Sequence, residues 1–111
     1  MKDLKNSACV PCEEGGDPMD AATIEKYLKD VSGWEWIDKG QVDKLQRVFK
    51  FKNFAEAISF ADRVGEIAEE QGHHPKLVVE WGKVNVIWWT HAVGGLHRND
   101  FIMAAKTDEL V

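Results

Sequence analysis

The stretch from Asn53 to Gly72 constrains the fold more than any other. Phe54, Ala57, Ile58, Ala61, Val64, Gly65 and Ala68 recur at helical spacing and form one apolar stripe. Glu56, Asp62, Arg63, Glu66 and Glu70 occupy the opposite face. Asn53 and Glu56 make an N-x-x-E pattern close to a capping box, and Gly72 suits the left-handed position just past a helix end. A helix of this length with a single apolar face needs a surface to lie across, and the sequence on either side supplies one.

Before the helix, Trp34–Asp38 and Val42–Phe51 read as two strands joined at Lys39-Gly40, with Leu45, Arg47, Phe49 and Phe51 on one face. After it, Leu77–Trp81 and Val84–His91 read as a second hairpin turning at Gly82-Lys83. In its last strand Val84, Val86, Trp88 and Thr90 alternate with Asn85, Ile87, Trp89 and His91. Asp20 is a good cap for a short helix from Ala21 to about Val31, carrying Ile24, Tyr27, Leu28 and Val31. A last helix runs from His97 to about Leu110 with Ile102, Ala105 and Leu110 inward, and Asp100 lies in its first turn, where the helix dipole favours a carboxylate. His97 reads as an exposed helix-start residue. The expected fold is α+β in the order α-β-β-α-β-β-α: a two-layer domain with a four-stranded antiparallel sheet and helices on one face. Residues 1–18 are expected to form an irregular N-terminal arm and 19–111 the domain itself.

Composition excludes several classes of function. The formal net charge of −5 argues against a nucleic-acid partner, which needs a basic face. No apolar run is long enough to span a membrane, and the first residues lack the apolar core of a secretory signal. A cytoplasmic location with reduced cysteines is therefore expected. Cys9-Val10-Pro11-Cys12 is a C-x-x-C. It has no second such pair to complete a zinc site and no preceding strand to make it thioredoxin-like, so a tail with two thiols is the favoured reading.

All four histidines, His73, His74, His91 and His97, fall between Glu69 and Asp100. Histidine is the side chain best suited to move protons near neutral pH. Pro75 keeps His74 extended, and adjacent residues of an extended segment point to opposite sides unless the chain bends. His74 and His91 lie at the same open end of the second hairpin, with Glu69 and Asp100 nearby. Imidazoles beside carboxylates suit acid–base catalysis, the carboxylates setting tautomer and orientation. A catalytic zinc is disfavoured, because consecutive histidines in an extended segment rarely present both nitrogens to one ion. Trp81, Trp88 and Trp89 offer flat faces to a heterocycle, although tryptophans on a sheet more often serve as core or interface.

The pattern Glu69-x-x-x-His73-His74-Pro75, five residues, Trp81, nine residues, His91, eight residues, Asp100 resembles the signature of the pterin-4a-carbinolamine dehydratases. The resemblance takes in Gly33-Trp34-Glu35-Trp36, Phe49-Lys50-Phe51 and the Asn53-Phe54 start of the long helix, and covers roughly residues 20–110. It implies a cofactor-independent and metal-free dehydration of 4a-hydroxytetrahydropterin to quinonoid dihydropterin. In that role His73, His74 and His91 match catalytic positions, with His73 and His91 as the acid–base pair and His74 binding and orienting. Glu69, Trp81 and Asp100 match substrate-binding positions, with Trp81 lining the pocket. The resemblance also implies a homodimer or homotetramer and a functional link to an aromatic amino acid hydroxylase. His97 and Gly72 depart from the residues usual at their positions. The Thr90–Leu96 segment followed by Asn99-Asp100-Phe101-Ile102 resembles a bacterial and plant subgroup, for which a role in molybdopterin metabolism is an alternative. A non-catalytic role as a dimerisation or transcriptional cofactor is another.

Overall fold

The computed structural model describes residues 4–10 and 16–111. Cys12 lies outside the described residues. The elements are α1 (Ala21–Leu28), β1 (Glu35–Ile37), β2 (Lys44–Lys50), α2 (Phe54–Gln71), β3 (Lys76–Glu80), β4 (Lys83–Trp88) and α3 (Arg98–Asp108). Short 3₁₀ turns occur at Leu4–Asn6 and His91–Val93. The four strands are antiparallel in the order β1-β2-β4-β3, so the two hairpins join through β2 and β4, with Leu45 opposite Trp88 and Phe49 opposite Val84. This is the α+β domain that the order of elements predicts.

Local chemistry explains the element ends. Asp20 caps α1 by accepting from the Thr23 N–H at 2.9 Å, and hydrogen bonds from the Thr23 side chain and backbone hold its carboxyl below the usual carboxylate range. Asn53 caps α2 by accepting from the Glu56 N–H at 2.8 Å. Gly72 ends α2 at φ 65°, a left-handed conformation that costs glycine no Cβ clash.

The core lies between the helices and one sheet face. Leu45, Phe49, Val84, Val86 and Trp88 point into it from the strands, and α3 adds Phe101, Ile102, Met103 and Ala104. Helix α2 adds Ala57, Phe60, Val64 and Ala68. This corrects the expected stripe, because Phe54 and Ile58 are exposed while Phe60 is fully buried. The apolar arc of α2 is wider than one stripe, and packing selects the side that buries the largest side chain. The Phe60 ring packs tilted against Phe49 and Phe51, with centroids 4.8 Å and 5.0 Å away, area that Ala61 or Gly65 could not fill.

The last strand is shorter than its alternation suggests. β4 ends at Trp88, and His91 stands in the following 3₁₀ turn, not on the strand. The Thr90 N–H donates to the Gly95 carbonyl at 2.8 Å, so the ladder is replaced by a local turn. At the other end of the core, the Asp108 carboxylate of α3 accepts from Trp34 Nε1 at 3.0 Å and from Arg47 at 2.9 Å. The N-terminal segment is docked: Leu4 is buried in the core, and Lys106 Nζ donates to the Lys5 carbonyl at 2.9 Å.

Truncating Phe60 to Ala is expected to destabilise the chain by about 3–5 kcal/mol in urea unfolding, because it opens a cavity beside the Phe49 and Phe51 rings. A cost below about 1 kcal/mol would place the core face of α2 elsewhere.

Candidate active site

The site forms where two helix ends meet the open end of the second hairpin. Past Gly72 the chain turns sharply, with the His73 N–H donating to the Ala68 carbonyl at 3.1 Å, and leaves through His73-His74-Pro75 into β3. Across from it, β4 gives way to Thr90 and the His91–Val93 turn. Gly94 closes that turn at φ 68°, and the chain re-enters the core at Leu96 before α3 begins.

His97 is the cap of α3. Its Nδ1 accepts from the Asn99 N–H at 3.0 Å, so a neutral His97 carries its hydrogen on Nε2. It is half-buried rather than exposed, because imidazole here does the work usually given to a serine or threonine hydroxyl. Asp100 completes the capping box by accepting from the His97 backbone N–H at 2.9 Å.

Asp100 also does more than cap. It is fully buried: its Oδ1 faces His73 Nε2 at 2.6 Å, while the Thr90 hydroxyl donates at 2.8 Å to Oδ2, the oxygen that also accepts from the His97 N–H. A carboxylate accepts only, so its partner nitrogen, Nε2 of His73, carries the hydrogen. Nδ1 is then the acceptor of the neutral ring. The His73 ring is held flat against Trp88, with centroids 5.7 Å apart and planes within 8°. Trp88 is in turn fixed by its own burial and by donating Nε1–H to Thr107 Oγ1 at 3.3 Å.

The second histidine–carboxylate pair is of another kind. His74 Nε2 pairs with Glu69, but both side chains are largely exposed, at 59% and 78%. His91 has no carboxylate partner among the described residues and packs against Trp89, with ring centroids 4.6 Å apart.

His73, His74 and His91 line one cavity of about 620 Å³. That volume falls in the range of small-molecule sites. Cys9, Val10, Gln71, Trp89, Thr90 and Asn99 contribute to the same lining. Trp89 is the aromatic side chain among these lining residues, with the Lys44 ammonium 5.1 Å from its ring centroid. Trp81 sits at the turn of the second hairpin, is 72% exposed, and lines no part of this cavity. Asp100 stands behind His73, outside the lining, and Glu69 touches the site through His74. Among the described residues, no group of three or more His, Cys, Asp or Glu side chains is placed to hold a metal ion. No helix among them is long and apolar enough to cross a membrane. Such an arrangement can orient a small heterocycle, accept a proton at one imidazole and donate one from another.

The family model for pterin 4 alpha carbinolamine dehydratase matches residues 17–110. The chain belongs to that family. A protein of Chlorobium limicola, provisionally named pterin-4-alpha-carbinolamine dehydratase, is 52% identical over 110 residues, covering 99% of this chain and 97% of that protein. The crystal structure of a transcriptional coactivator/pterin dehydratase from Brucella melitensis is similar with a TM-score of 0.77 at 29% identity, over 85% of this chain and 98% of that one. A pterin dehydratase-like protein described as a RuBisCO assembly factor in the alpha-carboxysome gives a TM-score of 0.57 at 25% identity, over 68% of this chain and 88% of that one.

The sequence reading did not single out Thr90, Gln71 or Asn99. Thr90 and Asn99 adjoin His91 and Asp100, and a buried polar residue beside a candidate catalytic one is the signal that could have found them.

Replacing Asp100 with Ala strands three donors at once. We expect a loss of about 3 kcal/mol in urea unfolding. A loss under about 1 kcal/mol would mean that this carboxylate does not hold α3, Thr90 and His73 together.

Proposed function

We propose that this chain dehydrates 4a-hydroxytetrahydropterin to quinonoid dihydropterin and water, serving tetrahydropterin recycling. Three imidazoles lining one cavity, two of them paired with carboxylates, carry this reading. Family membership supports the pterin as substrate. The reaction removes the N5 proton and protonates the 4a-hydroxyl. The C4a–O bond breaks, the oxygen leaves as water, and the N5–H bonding pair becomes the second bond between N5 and C4a. Nothing is oxidised or reduced, so the balance calls for no redox cofactor.

His73 takes the N5 proton at Nδ1. The buried Asp100 fixes the ring and stabilises the imidazolium formed on proton transfer. His91 protonates the departing hydroxyl. His74, tied to Glu69 at the rim, binds and orients the substrate. Protons return through water at the cavity mouth. An aromatic amino acid hydroxylase would supply the substrate, and a homodimer or homotetramer in the cytoplasm is the working form this reading carries. A related pterin of molybdopterin metabolism would suit the same chemistry.

The Brucella structure, whose title joins a coactivator with a pterin dehydratase, favours a second reading in which the fold binds a protein partner. The imidazoles separate the two. With enzymatically generated 4a-hydroxytetrahydropterin, the wild type should accelerate quinonoid dihydropterin formation over buffer. His73→Ala and His91→Ala should each lower kcat by about 10²–10⁴-fold with far-UV circular dichroism unchanged. No acceleration by the wild type would sink the catalytic reading and leave the binding one.

A further inference from the structure

The N-terminal segment belongs to the cavity. Cys9 and Val10 line it together with the histidines. They are held there by side chains from the two helix ends that build the site. The Cys9 N–H donates to Gln71 Oε1 at 2.9 Å, from the last residue of α2. Asn99, in the first turn of α3, grips Val10 from both sides: the Val10 N–H donates to its Oδ1 at 3.0 Å, and its Nδ2 donates to the Val10 carbonyl at 2.7 Å. Asn99 is 2% exposed. A buried amide paired on donor and acceptor sides with one residue fixes the register of the segment, since a slip by one residue would strip both bonds from a side chain that is itself buried. Further along, Arg98 reaches Ser7 Oγ at 3.4 Å and Leu4 is buried in the core. Val10 itself is 55% exposed, and it is its backbone that Asn99 holds.

From this geometry we infer that Cys9 and Val10 form a substrate-binding wall of the cavity, with Gln71 and Asn99 as the positioning residues that dock it. The inference rests on the pterin reading above. Neighbouring residues divide the labour: Asn99 holds the wall while Asp100 holds His73, and Gln71 holds the wall two residues before His73. The wall takes no part in proton transfer. Its apolar contribution, Val10, bounds the cavity against part of the flat substrate. Its loss therefore weakens binding and leaves the histidine geometry in place.

The test combines three variants with amide hydrogen exchange. Gln71→Met keeps the length of the side chain but removes the acceptor, Gln71→Glu restores an acceptor, and Val10→Trp alters the wall without touching its anchors. In wild type, saturation with tetrahydropterin should slow exchange at the Cys9 and Val10 amides. Gln71→Met should speed exchange at Cys9 and raise KM roughly fivefold, the equivalent of one hydrogen bond, with kcat within about twofold. Gln71→Glu should return KM to within about twofold of wild type, and Val10→Trp should change KM at constant kcat. A KM unmoved by both Val10→Trp and a freed Cys9 amide overturns the wall. Unchanged exchange in Gln71→Met overturns the docking role of Gln71, and a parallel fall in kcat overturns the separation from proton transfer. A wild type that neither binds nor turns over pterin sinks the pterin reading itself, an outcome distinct from an active wild type with indifferent variants.

Discussion

A single buried carboxylate ties this site together. Asp100 lies at the third position of α3 and accepts from the cap residue of its own helix, from the Thr90 hydroxyl past the end of β4, and from the His73 ring past the end of α2. Three elements distant in sequence are thereby fixed relative to one another. Burying a carboxylate is costly unless it is paired and hydrogen-bonded, and here its lone pairs are met by donors of graded kind: an imidazole, a hydroxyl and a backbone amide. The same contacts that satisfy the charge also set the orientation of His73. Stability and the geometry of the candidate site consequently draw on one set of hydrogen bonds.

The sheet supplies rigidity and the helix ends supply chemistry. His73 and His74 follow the left-handed Gly72 at the end of α2, while Asn99 and Asp100 lie in the first turn of α3. His91 belongs to a 3₁₀ turn that begins where the β2–β4 ladder stops. A continued strand would leave His91 on the same sheet face as Trp89 but a full pleat repeat further along the chain. The turn instead lets the two rings meet at 4.6 Å and lets both line the cavity. Beneath them Trp88 continues the strand alternation inward and becomes the platform for His73.

What could be read in the sequence was local. The Asn53 and Gly72 ends of α2, the two hairpins and the order of elements follow from capping residues, turn residues and periodicity, all of which act within a few positions. The side of α2 that faces the core did not follow, because Phe54, Ile58 and Phe60 span an arc wide enough for two faces and only the positions of Phe49 and Phe51 decide between them. The end of β4 was hidden for the same reason: alternation persists through Thr90 and His91, yet the Thr90 N–H bonds to Gly95. The clustering of histidines near two acids was legible, but their pairing was not. Nor did any periodicity mark Cys9 and Val10, whose place depends on side chains of Gln71 and Asn99.

The two histidine–carboxylate pairs differ in a way that bears on their roles. His73 and Asp100 have side-chain exposures of 11% and 0%, whereas His74 and Glu69 have 59% and 78%. A buried pair is screened little by salt, and breaking it leaves an uncompensated polar group, so its geometry is firmly held. An exposed pair contributes little to stability, is weakened by salt, and exchanges partners readily with water or an arriving ligand. A base must stand in a fixed position to meet a particular proton, while a binding group at a cavity mouth gains from the freedom to adjust. That contrast supports His73 as the base and His74 as the orienting residue. It also accounts for the adjacency of the two: one turn after Gly72 sends the first imidazole inward to a buried acid and the second outward to an exposed one.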